Sequence, residues 1–114
     1  MTITELIAAL EAADKPSREL DASIGSLIGT YVGFEPPPRY TSSIDAALTL
    51  LPDGAMWRLG RHLVPDDQPE HAYSARVGGP RYYDHSSPAI ALCIAALRAR
   101  EEATWNWCNS CAQK

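Results

Sequence analysis

Four arginines, Arg58, Arg61, Arg76 and Arg81, lie between Ala55 and His85 among Trp57, Tyr73, Tyr82 and Tyr83, with His62 and His85 in the same stretch. Guanidinium forks grip phosphate through paired hydrogen bonds, and aromatic faces stack on planar rings. This combination suits a small anionic, nucleotide-like ligand. Arg58, Arg61 and Arg76 are the first choices for charge contacts, and Trp57, Tyr82 and Tyr83 for stacking. Arg39 and Tyr40 end the run FEPPPRY, whose prolines stiffen it as a loop able to close such a site. Charge distribution favours the same region. The chain carries −4 overall, and Met1 to Asp53 holds eight acids against three bases, whereas Ala55 to His85 balances four against four. The competing account is that these aromatics pack strands onto helices while the arginines are solvated.

Other chemistries find less support. Asp84, His85, Ser86 and Ser87 read like a hydrolytic triad written in a row, but a triad is assembled from separated positions, and Ser87 fits a helix cap better. Cys93 lies in an apolar stretch, so it reads as buried and inert. Cys108 and Cys111 form a single CxxC, half of what a structural zinc site needs. No Gly-rich phosphate loop is present, and Asp66, Asp67 and Glu70 read as a solvated acidic loop. No catalytic residue, metal ligand or cofactor is therefore assigned. The net negative charge argues against a nucleic-acid coat. The longest apolar run, Pro88 to Leu97, is ten residues, well short of a membrane span. MTITELIAAL has no basic leader region, and three cysteines do not make a disulfide framework, so a cytoplasmic protein is expected.

These residues must be positioned by short elements. Thr2 with Glu5 forms a capping box, and Ile3, Leu6, Ile7 and Leu10 follow helical spacing until Pro16 interrupts. A second helix is predicted from Ser17, with Leu20, Ile24, Leu27 and Ile28 inward and with Glu19 and Asp21 in its first turn. A third runs from a Thr41 or Ser42 cap to about Leu51, burying Ile44, Ala47, Leu48 and Leu51. Pro52-Asp53-Gly54 is a turn. Alternation then predicts strands at Ala55–His62, His71–Val77 and Arg81–Asp84, the last two joined by a Gly78-Gly79-Pro80 hairpin turn. Ser87-Pro88 opens a final helix, apolar around much of its circumference, which should be the core helix and run to about Ala103. The expected fold is α+β, a three-stranded antiparallel sheet packed with about four helices. One domain covers residues 1–103, and 104–114 form a tail.

The stretches PRYTSSIDAALTLLPDG, MWRLGR, YSARVGGP and HSSPAIALCIAALRARE, in that order, resemble the phage "ABA sandwich" domain family, over roughly Glu5 to Glu102. The resemblance implies a phage or prophage origin and a layered helix–sheet–helix sandwich, and it brings no catalytic residues to carry over. Two functions fit. One is a non-enzymatic protein that sequesters a nucleotide-like ligand, such as a host immune signal. The other is a protein–protein interaction module, an inhibitor of a host enzyme or an assembly accessory. A small sheet with two open edges also predicts a homo-oligomer, most simply a dimer.

Overall fold

Thr2 and Ser87 start the first and last helices as the sequence predicts. The structure, a computed structural model, describes residues 2–28, 36–51, 54–63, 72–78 and 81–113, with side chains to residue 101. In it the Thr2 hydroxyl accepts from the Glu5 N–H at 3.2 Å, and Ser87 Oγ accepts from the Ile90 N–H at 3.4 Å. Each satisfies an N–H that the first helical turn leaves unpaired. Helix α1 spans Ile3–Ala12 and buries Leu6, Ile7 and Leu10. The final helix, expected to stop near Ala103, continues over Pro88–Gln113. After Pro88 the sequence offers no glycine or proline to end it, so the supposed tail has helical backbone. The side chains of Trp105, Trp107, Cys108 and Cys111 lie outside the described residues, as do the acidic loop 65–70 and the turn residues Gly79 and Pro80.

Helix α2, Arg18–Ile28, buries Ile24 and packs Leu20 and Ile28 against the core as its apolar spacing predicts, but it leaves Leu27 outside and takes Asp21 in. Asp21, Ile24 and Gly25 are buried, while Leu27 is exposed. The carboxylate decides this. Asp21 Oδ1 accepts from both the Thr41 N–H and the Thr41 hydroxyl at 2.8 Å, and Oδ2 accepts from Arg18 Nη1 at 2.8 Å. Arg18 Nη2 also donates to the Pro37 carbonyl at 2.7 Å. The proline segment is thus bound to α2 at two adjacent points. Because Thr41 is engaged there, the third helix, α3 at Ile44–Leu48, is capped by Ser43 rather than by Thr41 or Ser42, with Ser43 Oγ accepting from the Ala46 N–H at 3.2 Å. It ends before the predicted Leu51. Ile44 is exposed and Leu50, in the turn that follows, is fully buried.

Strands β1 (Trp57–Arg61), β2 (Tyr73–Val77) and β3 (Tyr83–His85) form one antiparallel sheet in the order β1-β2-β3. Arg58 pairs with Arg76 and Gly60 with Ser74, while Ser74 also pairs with Asp84. Gly78, at φ +77°, begins the turn out of β2 in the left-handed region that glycine tolerates. β3 starts two residues later than predicted, since Tyr83–His85 are the residues that pair with β2.

The fold is α+β, with helices packed on the sheet as the sequence leads one to expect. The 88–113 helix, α4, lies against β2 and β3 on one side and against α1 and α3 on the other. Every residue from Ala89 to Leu97 is buried, which is why its apolar character runs around the circumference. The sheet face toward α4 carries Tyr73, Ala75, Val77, Tyr83 and Leu59.

Candidate functional site

Strand alternation sends every second side chain to the face away from α4. From the pairing, that outer face carries Arg58 and Gly60 of β1, Ser74 and Arg76 of β2 and Asp84 of β3. A concavity of about 740 Å³ is lined by Trp57, Arg58, Leu59, Gly60, His62, Ser74 and Tyr82. Trp57 and Leu59 belong by alternation to the opposite face, so the hollow takes in the long free edge of β1. The glycine at position 60 opens it: a Cβ built there would meet nothing within 4 Å.

Of the residues the sequence singles out, the structure brings Trp57, Arg58 and Tyr82 to this hollow. Arg76 joins them through Tyr82, its guanidinium carbon 5.2 Å from the ring centroid. Trp57 and Tyr82 remain 44% and 48% exposed, which leaves aromatic surface available to a planar partner. Arg76 occupies one face of Tyr82, so a stacked ring would take the other. Among the described strand residues, two arginines against one carboxylate, Asp84, give this face a positive surplus on an acidic chain.

The other four choices lie elsewhere. Arg61 is exposed but alternates away from Arg58, pairing with Tyr73. Tyr83 turns toward the helices, with Arg98 of α4 over its ring at 5.9 Å. Tyr40 does not close the site: it is fully buried, and its carbonyl accepts from the Cys93 thiol at 3.1 Å. Arg39 is exposed on the segment that Asp21 and Arg18 hold against α2, and it does not line the hollow. The proline segment therefore serves the core instead of the site. Cys93 is deeply buried as expected, and burial first, then the negative charge of Asp21, pushes its thiol pKa far up.

Sequence reasoning placed His62 in the right segment without choosing it, and it missed Ser74. His62 Nε2 lies 2.6 Å from Ser74 Oγ, and Ser74 Oγ donates to Asp84 Oδ1 at 2.5 Å. The signal was the shared parity of positions 58, 60 and 62 with 74 and 76, legible only once the hairpin register is known. The three residue types are those of a hydrolase, but the order is not. In a catalytic triad the imidazole sits between hydroxyl and carboxylate and takes the hydroxyl proton. Here the hydroxyl sits in the middle and its proton points at Asp84. Ser74 can then only accept from His62, which fixes the tautomer with the proton on Nε2. With Ser74 only 5% exposed, the chain is suited to holding the His62 ring in place, not to attacking a substrate.

The Asp84–Ser87 string forms no site either. Asp84 is bound to Ser74, and His85 accepts from the Ser87 N–H at 2.9 Å through Nδ1 and meets the Ala13 carbonyl at 2.7 Å through Nε2. Among the described residues no group of His, Cys, Asp and Glu is arranged to hold a metal ion, and no helix is long and apolar enough to cross a membrane. Comparison with models of protein families, with curated proteins and with solved structures gives no match.

Proposed function

We propose that this protein binds and sequesters a small nucleotide-like anion on the outer face of its sheet, without chemistry on it, as an accessory protein of a phage or prophage acting in the host cytoplasm. The observation that carries the reading is the meeting of Trp57, Arg58 and Tyr82 in one hollow, with Arg76 stacked on Tyr82. An interaction module would favour a flat apolar patch, whereas a concave surface with few polar groups among aromatic ones is the common form of a ligand site. In this reading Arg58 grips the anionic group, and His62, held by Ser74, presents Nδ1 as an acceptor for an N–H of the base. The base lies against Tyr82 or Trp57. The phage setting comes from the resemblance of the four sequence stretches alone.

Thermal-shift screening against mono-, di- and cyclic nucleotides tests the proposal, followed by calorimetry with the best of them. Arg58→Ala and Arg76→Ala should each weaken binding by about 1.5–3 kcal/mol, tenfold or more, while the variants melt like the parent. If no nucleotide shifts the melting temperature, or if both folded variants bind as the parent does, the arginines are surface residues and the interaction-module reading takes over.

A further inference from the structure

The free edge of β1 is bordered by exposed apolar side chains: Met56 is 76% exposed, Leu63 fully and Trp57 by nearly half. The hydrogen-bond phase of the sheet determines which backbone groups this edge offers. The His62 N–H donates to the Ala72 carbonyl and the Gly78 N–H to the Met56 carbonyl. Residues 56, 58, 60 and 62 thus face β2, and Trp57, Leu59 and Arg61 turn their N–H and C=O groups outward. Among the described residues no backbone group pairs with these. α4 covers β2 and β3 and scarcely reaches β1, so among the described residues the approach to this edge is open.

A second copy pairing antiparallel with this edge must set its own outward residues opposite these three. Centred on Arg58, that pairing puts two arginines directly opposite one another, which is unfavourable. Centred on Gly60, it sets glycine against glycine, with no side-chain contact in the middle. Centred on Leu59, it sets Leu59 against its own copy and Trp57 against the partner's Arg61, a cation beside an indole at both ends. Arg58 then faces the partner's Gly60, the position with open space above it. The strand WRLGR is self-complementary in this register, with no like charges directly opposed.

We propose that two copies join through β1 about a two-fold axis at Leu59, forming one continuous sheet in which each Arg58 lies over the partner's Gly60 and completes the partner's ligand hollow. The two Arg58 residues become diagonal neighbours, about 7–8 Å apart. Their mutual repulsion is relieved by an anion with two charged groups bridging them, so binding and pairing reinforce each other. This last consequence rests on the ligand reading above, whereas the pairing stands on the edge alone.

Sedimentation of the full chain at tens of micromolar should give twice 12.4 kDa, with the dimer strengthened by inorganic pyrophosphate. Arg61→Pro removes an outward N–H and leaves the ladder to β2 intact, so it should be monomeric with unchanged circular dichroism, while Arg61→Lys stays dimeric. In a background of Cys108→Ser and Cys111→Ser, Leu59→Cys should cross-link to its own copy under mild oxidation, since directly opposed residues lie within the span of a disulfide, and Gly60→Cys should not. A monomeric parent, or cross-linking through Gly60→Cys in place of Leu59→Cys, overturns the pairing. A dimer that ignores both pyrophosphate and nucleotides keeps the pairing and removes the ligand reading. If the monomeric Arg61→Pro variant binds nucleotide as tightly as the parent, the site is complete within one copy and the shared hollow is wrong.

Discussion

Replacing Asp21 by alanine should reveal how firmly the proline segment is anchored. The side chain is 1% exposed and accepts from the Thr41 N–H, the Thr41 hydroxyl and Arg18. Those bonds are not lost equally. The Thr41 hydroxyl lies 3.1 Å from the Ser17 carbonyl, so its proton has an alternative acceptor. The Thr41 N–H has none and becomes a buried orphan donor, which costs about 1–3 kcal/mol. Arg18 is 42% exposed and solvent replaces most of its attraction, leaving at most about 1 kcal/mol from that pair. Asp21→Ala should therefore lose about 2–4 kcal/mol in all. Asp21→Asn keeps an oxygen for the Thr41 N–H and should lose less than half of that. Urea unfolding of both variants, followed by tryptophan fluorescence, supplies the numbers. If alanine and asparagine destabilise equally, charge and not the N–H bond is what matters at Asp21. If neither destabilises, Asp21 is not what holds the segment in place.

Ile94→Ala removes a side chain buried to 1% exposure in the first part of α4, within the buried run 89–97, and should cost about 2–5 kcal/mol, read as a lower melting temperature; a melt like the parent's would misplace the helix. Cys93 should resist alkylation in the native state and react only on global unfolding, so its labelling rate tracks the unfolding equilibrium. Its folded thiol titrates far above the ordinary 9.0. Above pH 9 the unfolded chain thus loses a proton that the folded chain keeps, and stability falls by up to about 1.4 kcal/mol per pH unit. Cys93→Ala should remove that slope, measured by denaturation from pH 8 to 10.5. Ser74→Ala should leave the fold largely intact but free the His62 ring; under the proposed ligand reading it should weaken nucleotide binding severalfold in calorimetry, and unchanged affinity would remove His62 from that reading.

What the sequence made legible follows from the range of the interactions. The caps at Thr2 and Ser87 and the apolar periods of α1 and α4 are settled within a few residues, and they match. The hairpin is marked by its glycines. The sequence offers Thr41 or Ser42 as the cap of α3; Asp21, twenty positions away from Thr41, claims that residue, and the cap is Ser43. That same bond brings Asp21 inward beside a stripe from which only Leu27 is left out, and it sets Tyr40, next to Thr41, in the core and away from the hollow. Trp57, Arg58, Arg76 and Tyr82, which residue type singles out, meet around the hollow. Arg61 and Tyr83 share that chemistry but sit on the other face, and only the register separates them from the rest.

The place of α4 between the sheet and the α1–α3 layer also sets an order of events during synthesis. Every element that packs against it precedes it in the chain. Until residues 89–97 have been made, α1 has only α2 to pack against, α3 lacks its main partner, and the inner face of the sheet is bare. Isolated helices as short as α1 and α3 are marginal in water, and a lone small sheet is little better. The nascent chain should therefore stay open and protease-sensitive until residues 89–97 have emerged. It should then collapse in one cooperative step when the central helix arrives, not domain by domain as longer chains do.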